Sequence, residues 1–199
     1  MSEFELLTGT AVGIKVKDGV VLASEKRVAY GFYLLSKSGK KVFKINDKLG
    51  LASAGILADM QTIAKIIRTE LNLYYLDTKT APTVRAAAKL LSLILFQSRI
   101  MPYICEIMVG GVDDEGPHLF VLDPAGSLIE DDYAALGTGA KIAIGILESE
   151  YKPDMPLEDA KKLAIKAIRQ AMSRDPVSGD GCDILVISKE GSVEETIRF

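Results

Sequence analysis

Across 199 residues the chain carries 48% hydrophobic side chains, 24 basic and 27 acidic groups, and a net charge of −3. That apolar share excludes a disordered polymer, and the length suits one domain with a sizeable core. Acids and bases are mixed along the sequence, which argues against a nucleic-acid footprint or a basic membrane-binding face, and the longest apolar run, residues 90–96, is interrupted by Ser92 and too short to span a bilayer.

Residues 1–7 include Glu3 and Glu5 and lack the apolar stretch of a secretory signal, so a cytoplasmic protein is expected. Two β-branched runs then flank Lys17-Asp18-Gly19, and an Asp-Gly between such runs predicts a tight hairpin because the turn needs residues that tolerate positive φ. Its first strand begins with a threonine after a glycine; its second ends in Glu25 followed by the two bases Lys26 and Arg27. Residues 28–43 contain a polar turn around Ser38-Gly39-Lys40-Lys41, followed by strand-like segments at 42–45 and 49–54, the latter ended by Gly55.

From Leu57 the period changes. Met60, Ile63, Ile66, Ile67, Leu71 and Tyr74 recur at three and four, predicting an amphipathic helix to about Asp77. Pro82 opens a second helix over 83–100 that Pro102 ends, apolar nearly all round and so sandwiched on more than one side. Strands are predicted at 104–112 and 118–122 around the turn 113–116, with a third strand-like piece at 128–135 leading into Gly137-Thr138-Gly139. Two further helices, 141–151 and 157–173, precede an Asp-, Ser- and Gly-rich loop at 175–181 and final strands at 183–188 and 192–197.

Cys105 and Cys182 have neither metal-ligand spacing nor a pairing pattern and read as buried thiols. The single histidine, His118, rules out zinc sites built on several imidazoles and reads as an edge or turn residue, so hydrolytic chemistry here needs another base. No metal or organic cofactor is indicated. Strand runs alternating with helix pairs argue for an α+β fold of antiparallel sheets with helices outside. A four-layer αββα sandwich fits, although periodicity alone does not choose it over two layers.

Taken together, Thr8-Gly9-Thr10, the segments 17–23 and 40–45, Ala54-Gly55, Gly110-Gly111-Val112-Asp113, Gly137-Thr138-Gly139 and 174–179 resemble the β subunits of archaeal 20S proteasomes, N-terminal-nucleophile hydrolases with that four-layer fold. The resemblance runs from Thr8 to about Ile187. It implies a threonine-type endopeptidase that degrades unfolded polypeptides inside a barrel of stacked rings. The implied partners are α subunits, sister β subunits in heptameric rings and, indirectly, a regulatory ATPase.

In such a zymogen the bond before a threonine is cut autocatalytically, and the freed α-amine, with a reference pKa of about 8, serves as base for that residue's own hydroxyl. By position the resemblance places cleavage between Gly9 and Thr10, making 1–9 a leader and 10–199 the mature domain. Lys41 supplies positive charge, and Glu25, in place of the more usual aspartate, holds it. Gly55 offers its N–H to the oxyanion, and Thr138, Asp175 and Ser178 support the amine and the threonine. Val28, Ser53 and Leu57, with Phe43 deeper, line a pocket for apolar side chains.

One feature departs from the family pattern. In active relatives the nucleophile stands four residues before the glycine of the first strand, whereas Thr10 stands three before Gly13, which puts Gly9 in the nucleophile's slot. Either the strand has lost a residue and Thr10 remains the nucleophile, or the chain is a non-catalytic β subunit that completes a mixed ring beside an active sister. A non-proteasomal amidase of the same fold is a third reading. The count matters because a one-residue slip in a strand moves a side chain to the other face and by about 3.3 Å.

Overall fold

Lys17 and Asp18 reverse the chain between β1 (Thr10–Val16) and β2 (Gly19–Glu25), which pair antiparallel with Val16 opposite Gly19. The computed structural model describes residues 8–31 and 33–199, so most of the expected leader, residues 1–7, lies outside the described residues. Downstream come β3 (Val28–Tyr30), β4 (Tyr33–Ser36), β5 (Val42–Asn46) and β6 (Leu49–Gly55). The helices α1 (Leu57–Thr78) and α2 (Val84–Gln97) follow, then β7 (Cys105–Asp113), β8 (Gly116–Leu122), β9 (Leu128–Glu130) and β10 (Tyr133–Gly137). The chain ends with α3 (Ala140–Glu150), α4 (Leu157–Met172), β11 (Cys182–Ser188) and β12 (Gly191–Ile197).

Two five-stranded antiparallel sheets form the centre, one ordered β10-β1-β2-β11-β12 and the other β5-β6-β7-β8-β9. Leu51, Ile107 and Phe120 of the second sheet pack under Ile63, Ile67 and Leu91 of α1 and α2. Val12, Ile14 and Val21 of the first sheet pack under Leu147, Leu163 and Ile168 of α3 and α4. A third cluster, including Ala11, Leu22, Met108, Leu119 and Leu185, fills the space between the sheets. The α+β, four-layer αββα arrangement is therefore the one expected, and the two-layer alternative falls because each sheet is buried on both faces.

Alternation along β1 follows from strand geometry: Val12, Ile14 and Val16 face the helices, while Ala11 and Gly13 face the opposite sheet. A Cβ on Gly13 would stand 2.8 Å from Leu119 Cδ1 and 2.9 Å from Met108 Sδ, so the close approach of the sheets there requires glycine.

Three local expectations are corrected. The segment before β5 holds an additional hairpin, β3–β4, whose Tyr30, Tyr33 and Leu35 are exposed and show no alternation that the sequence could reveal. The second helix ends at Gln97 rather than near residue 100, because Ser98 takes the cap and its N–H closes onto Ile94 and Leu95 carbonyls. Its start is as read, with the Thr83 hydroxyl accepting Ala86 N–H at 3.1 Å and Asp113 Oδ2 accepting Val84 N–H at 2.8 Å.

The single strand expected at 128–135 is divided between the two sheets. β9 pairs with β8, β10 pairs with β1, and Asp131 and Asp132 form the corner, where Asp131 N–H donates to Leu119 O at 3.1 Å and Lys15 N–H to Asp132 O at 2.7 Å. His118 lies on β8, with Nδ1 2.7 Å from Glu130 Oε1 and its ring stacked on Phe120. Among the described residues no helix is long and apolar enough to cross a membrane.

Leu22 is fully buried between the sheets and Leu73 on α1 is 55% exposed. In urea unfolding, Leu22→Ala is expected to lose about 2–5 kcal/mol and Leu73→Ala to stay within about 0.5 kcal/mol of the parent chain; equal losses would contradict the layer assignment.

Candidate active site

The start of β1, the end of β2, the approach to β5 and the loop after α4 converge on one buried polar cluster. Glu25, the last residue of β2, is completely buried and its Oε1 takes the ammonium of Lys41, itself only 3% exposed. The ion pair is not left to itself. Glu25 Oε2 accepts Arg27 N–H at 2.6 Å and Gly179 N–H at 3.0 Å, and Lys41 Nζ also donates to Arg27 O at 2.7 Å. Two buried charges are tolerated when their remaining donors and acceptors are satisfied in this way.

A second set lies alongside. Asp175 Oδ2 accepts the hydroxyls of Thr138 and Ser178, each at 2.6 Å, and Ser178 Oγ is 2.8 Å from Thr10 Oγ1. Because the Ser178 proton goes to the carboxylate, the Thr10 hydroxyl is the donor in that last bond. Thr138 Oγ1 also accepts Gly9 N–H at 3.3 Å. Gly55, at the end of β6, donates its N–H to Thr8 O at 3.0 Å.

The structure corrects the expectation that the Thr10 hydroxyl lies beside Lys41. Thr10 shares the helix-facing side of β1 with Val12 and Ile14, is fully buried, and presses its oxygen toward Gly139 at the start of α3. It is Gly9 that faces the ion pair: a Cβ built there would stand 2.6 Å from Glu25 Oε1 and 2.7 Å from Lys41 Nζ. The cause is register, since Thr10 pairs with Gly137 and Ala11 with Ser24, and neighbours on a strand face opposite ways.

Of the four pocket residues, Ser53 is drawn against Lys41, its N–H donating to the Lys41 carbonyl at 3.0 Å. Phe43 packs against the helix-facing core, half-buried Val28 sits on β3 and half-buried Leu57 opens α1. Two residues that sequence reasoning missed complete the scaffold. Arg27 Nε donates to Asp180 Oδ2 at 2.8 Å and its guanidinium to Pro176 O at 2.8 Å, pinning the 175–181 loop under Glu25. The hydrogen bond with Asp180 raises the Arg27 pKa above its ordinary value and holds the Asp180 carboxyl below the usual carboxylate range. The pair of bases after Glu25 was the available signal. Among the described residues no group of three or more His, Cys, Asp or Glu side chains could hold a metal ion.

The sequence model of a family described as "Proteasome subunit" matches residues 7–187. The chain belongs to that family. It is 61% identical over 199 residues to "Proteasome subunit beta 2" of Pyrobaculum calidifontis, covering 100% of this chain and 98% of the relative. Proteins of the same name from Caldivirga maquilingensis and Thermofilum pendens are 61% identical over 197 residues and 59% over 192, covering 99% and 96% of this chain and 98% and 94% of the relatives. The chain is thus a proteasome subunit of the β type, in a family whose β subunits are in general threonine-type hydrolases and which assembles with other proteasome subunits.

Lys41→Met leaves Glu25 charged and unpaired in the interior, so it is expected to cost about 3–5 kcal/mol in denaturant unfolding, whereas adding Glu25→Gln restores part of that loss. A single variant as stable as the parent would contradict the buried pair. Burial pushes the thiols of Cys105 and Cys182 up to about 12. Iodoacetamide at pH 8 should therefore leave both unmodified until denaturant is added, which mass spectrometry reads directly.

Proposed function

We propose that this chain is a β subunit of a 20S core particle that does not supply its own nucleophile. It would complete a mixed heptameric β ring, beside α subunits and an active sister β subunit that hydrolyses unfolded polypeptides delivered with the help of a regulatory ATPase in the cytoplasm. The observation that carries this reading is the position of Gly9. The residue whose side-chain position abuts the Glu25–Lys41 pair is a glycine, without a hydroxyl, while the hydroxyl of the next residue, Thr10, bonds to Ser178 on the far side of β1.

The other reading, cleavage at Gly9-Thr10 with Thr10 as nucleophile, needs β1 to shift by one residue. Such a slip would turn Val12 and Ile14, both fully buried, out of the helix-facing core. Each side chain of that kind contributes about 1.5–3 kcal/mol by its burial. It would also unpair Thr10 from Gly137 and Ala11 from Ser24. A hydroxyl on the wrong face gains nothing from an ammonium on the other. Lys41, Glu25, Asp175 and Ser178, with Thr138 at their edge, then serve as a polar frame for this end of the sandwich.

Intact-mass analysis of the particle assembled with its α and sister β chains tests this. The expected result is a chain that keeps residues 1–9 and takes no adduct from an inhibitor directed at N-terminal threonine, while the sister chain is labelled. Loss of residues 1–9 together with an adduct that Thr10→Ala abolishes would overturn it.

A further inference from the structure

The hairpin of α3 and α4 covers one sheet with its apolar side, and its outer side is ordered by charge. A Cβ on Gly139 would stand 3.0 Å from that of Ala171, and Glu150 pairs with Lys166, so the helices run antiparallel. On α3 the exposed stripe is Lys141, Gly145 and Glu148; on α4 it is Glu158, Lys162, Lys166 and Arg169. Acids therefore gather where the helices are joined, with Lys152 and Asp154 in the connection, and bases gather at the other end.

A lone helix does not call for this. Acids in the first turn and bases in the last suit the macrodipole, and α4 obeys with Glu158, Asp159 and Arg169. α3 does the reverse, opening with Lys141 and closing with Glu148 and Glu150. Gly145 is the second anomaly. It stands mid-helix, where glycine costs stability relative to alanine, yet a Cβ there would meet nothing within 4 Å, so nothing in the chain requires it. A missing side chain on an exposed stripe lets another backbone come close.

Resting on the reading that a sister β chain shares the particle, we propose that this face selects its own kind: it seats a second copy of this chain, turned about a two-fold axis near Gly145. Such a turn lays the acidic end of each copy on the basic end of the other, so both ends are compensated and each attractive contact occurs twice. Half-buried Met155 and Ile165, lining the grooves beside Lys162 and Lys166, supply apolar contact between the charged ends. A copy matches by symmetry. A sister matches only where its own sequence carries the same polarity.

The test uses the full chain co-assembled with its α and sister β chains and read by native mass spectrometry. Glu148→Lys with Glu158→Lys reverses one end, and Lys141→Glu with Arg169→Glu reverses the other. Each pair alone is expected to lower the yield of particles with paired copies at least about 10-fold, because like charges then meet. Mixed in one assembly, the two reversed chains complement each other and are expected to restore the yield. Full yield from either alone, or no recovery on mixing, overturns the proposal. Gly145→Leu strengthens α3 itself, so the folded chain is expected to be no less stable while paired copies fall as steeply; pairing at the parent level overturns the close approach. Should the variants fail to fold, the parent decides. Carbodiimide coupling of particles made from isotopically light and heavy copies is expected to join an acid of residues 148–159 in one copy to Lys141 or Lys166 of another. Links to sister or α chains alone, or no light-to-heavy link, overturn the proposal. A chain cut before Thr10 and labelled there overturns instead the functional reading, and none of these pairing measurements depends on it.

Discussion

Adjacent residues of β1 point to opposite faces of its sheet, and that alternation decides the chemistry available at this end of the molecule. Val12 and Ile14 are committed to the core beneath α3 and α4, Ala11 and Gly13 to the space between the sheets. Both sides of the strand are dry, so neither set can exchange with the other. Once the strand is placed by these packing demands, the residues just ahead of it have no freedom left. Gly9 must look at Glu25 and Lys41, and Thr10 must look at Ser178.

The same constraint explains why a fully furnished polar cluster can stand around a residue without a reactive group. Buried ion pairs rarely contribute much net stability, yet losing one member is severe, because the survivor is left charged in a medium that cannot solvate it. Glu25 is satisfied by one ammonium and the three backbone N–H groups of Thr10, Arg27 and Gly179, and Asp175 by two hydroxyls and the Val177 N–H. Arg27 and Asp180 brace the loop that carries Ser178 and Gly179. Such a network resists piecemeal change even where it does no chemistry.

Much of this was legible in the residues. The three-and-four periodicity of α1 and the Thr83 start of α2 appear where the sequence places them. The hairpin also stands where the sequence places it, but not for the expected reason: its turn is Lys17-Asp18, neither Asp18 nor Gly19 takes positive φ, and Gly19 is required instead by its close approach to the Ile187 carbonyl. The spacing of Thr10 from Gly13 marks a departure in strand parity, because parity follows from counting, but it leaves open whether the strand is one residue shorter or Gly9 stands in the nucleophile's slot. The β3–β4 hairpin escaped notice, since its exposed Tyr30, Tyr33 and Leu35 carry no alternation. The corner at Asp131 and Asp132 escaped for a different reason: β9 and β10 have compatible composition, and only their partners in space, β8 and β1, separate them. Arg27 and Asp180 are 153 positions apart, and nothing local announces that they meet.

That corner has a mechanical meaning. Residues 131 and 132 step from one sheet to the other beside Lys15, near the end of β1 remote from Thr10. At the opposite end the two sheets are fastened by the contact of Glu25 with Lys41 and by Gly137 N–H on the Glu106 carboxylate at 2.9 Å. The two sheets are therefore joined covalently at both edges, by the two-residue corner at one and by residues 26–41 at the other, and the polar contacts at the second edge tie down the longer connection beside the place where Gly9 and Gly55 lie.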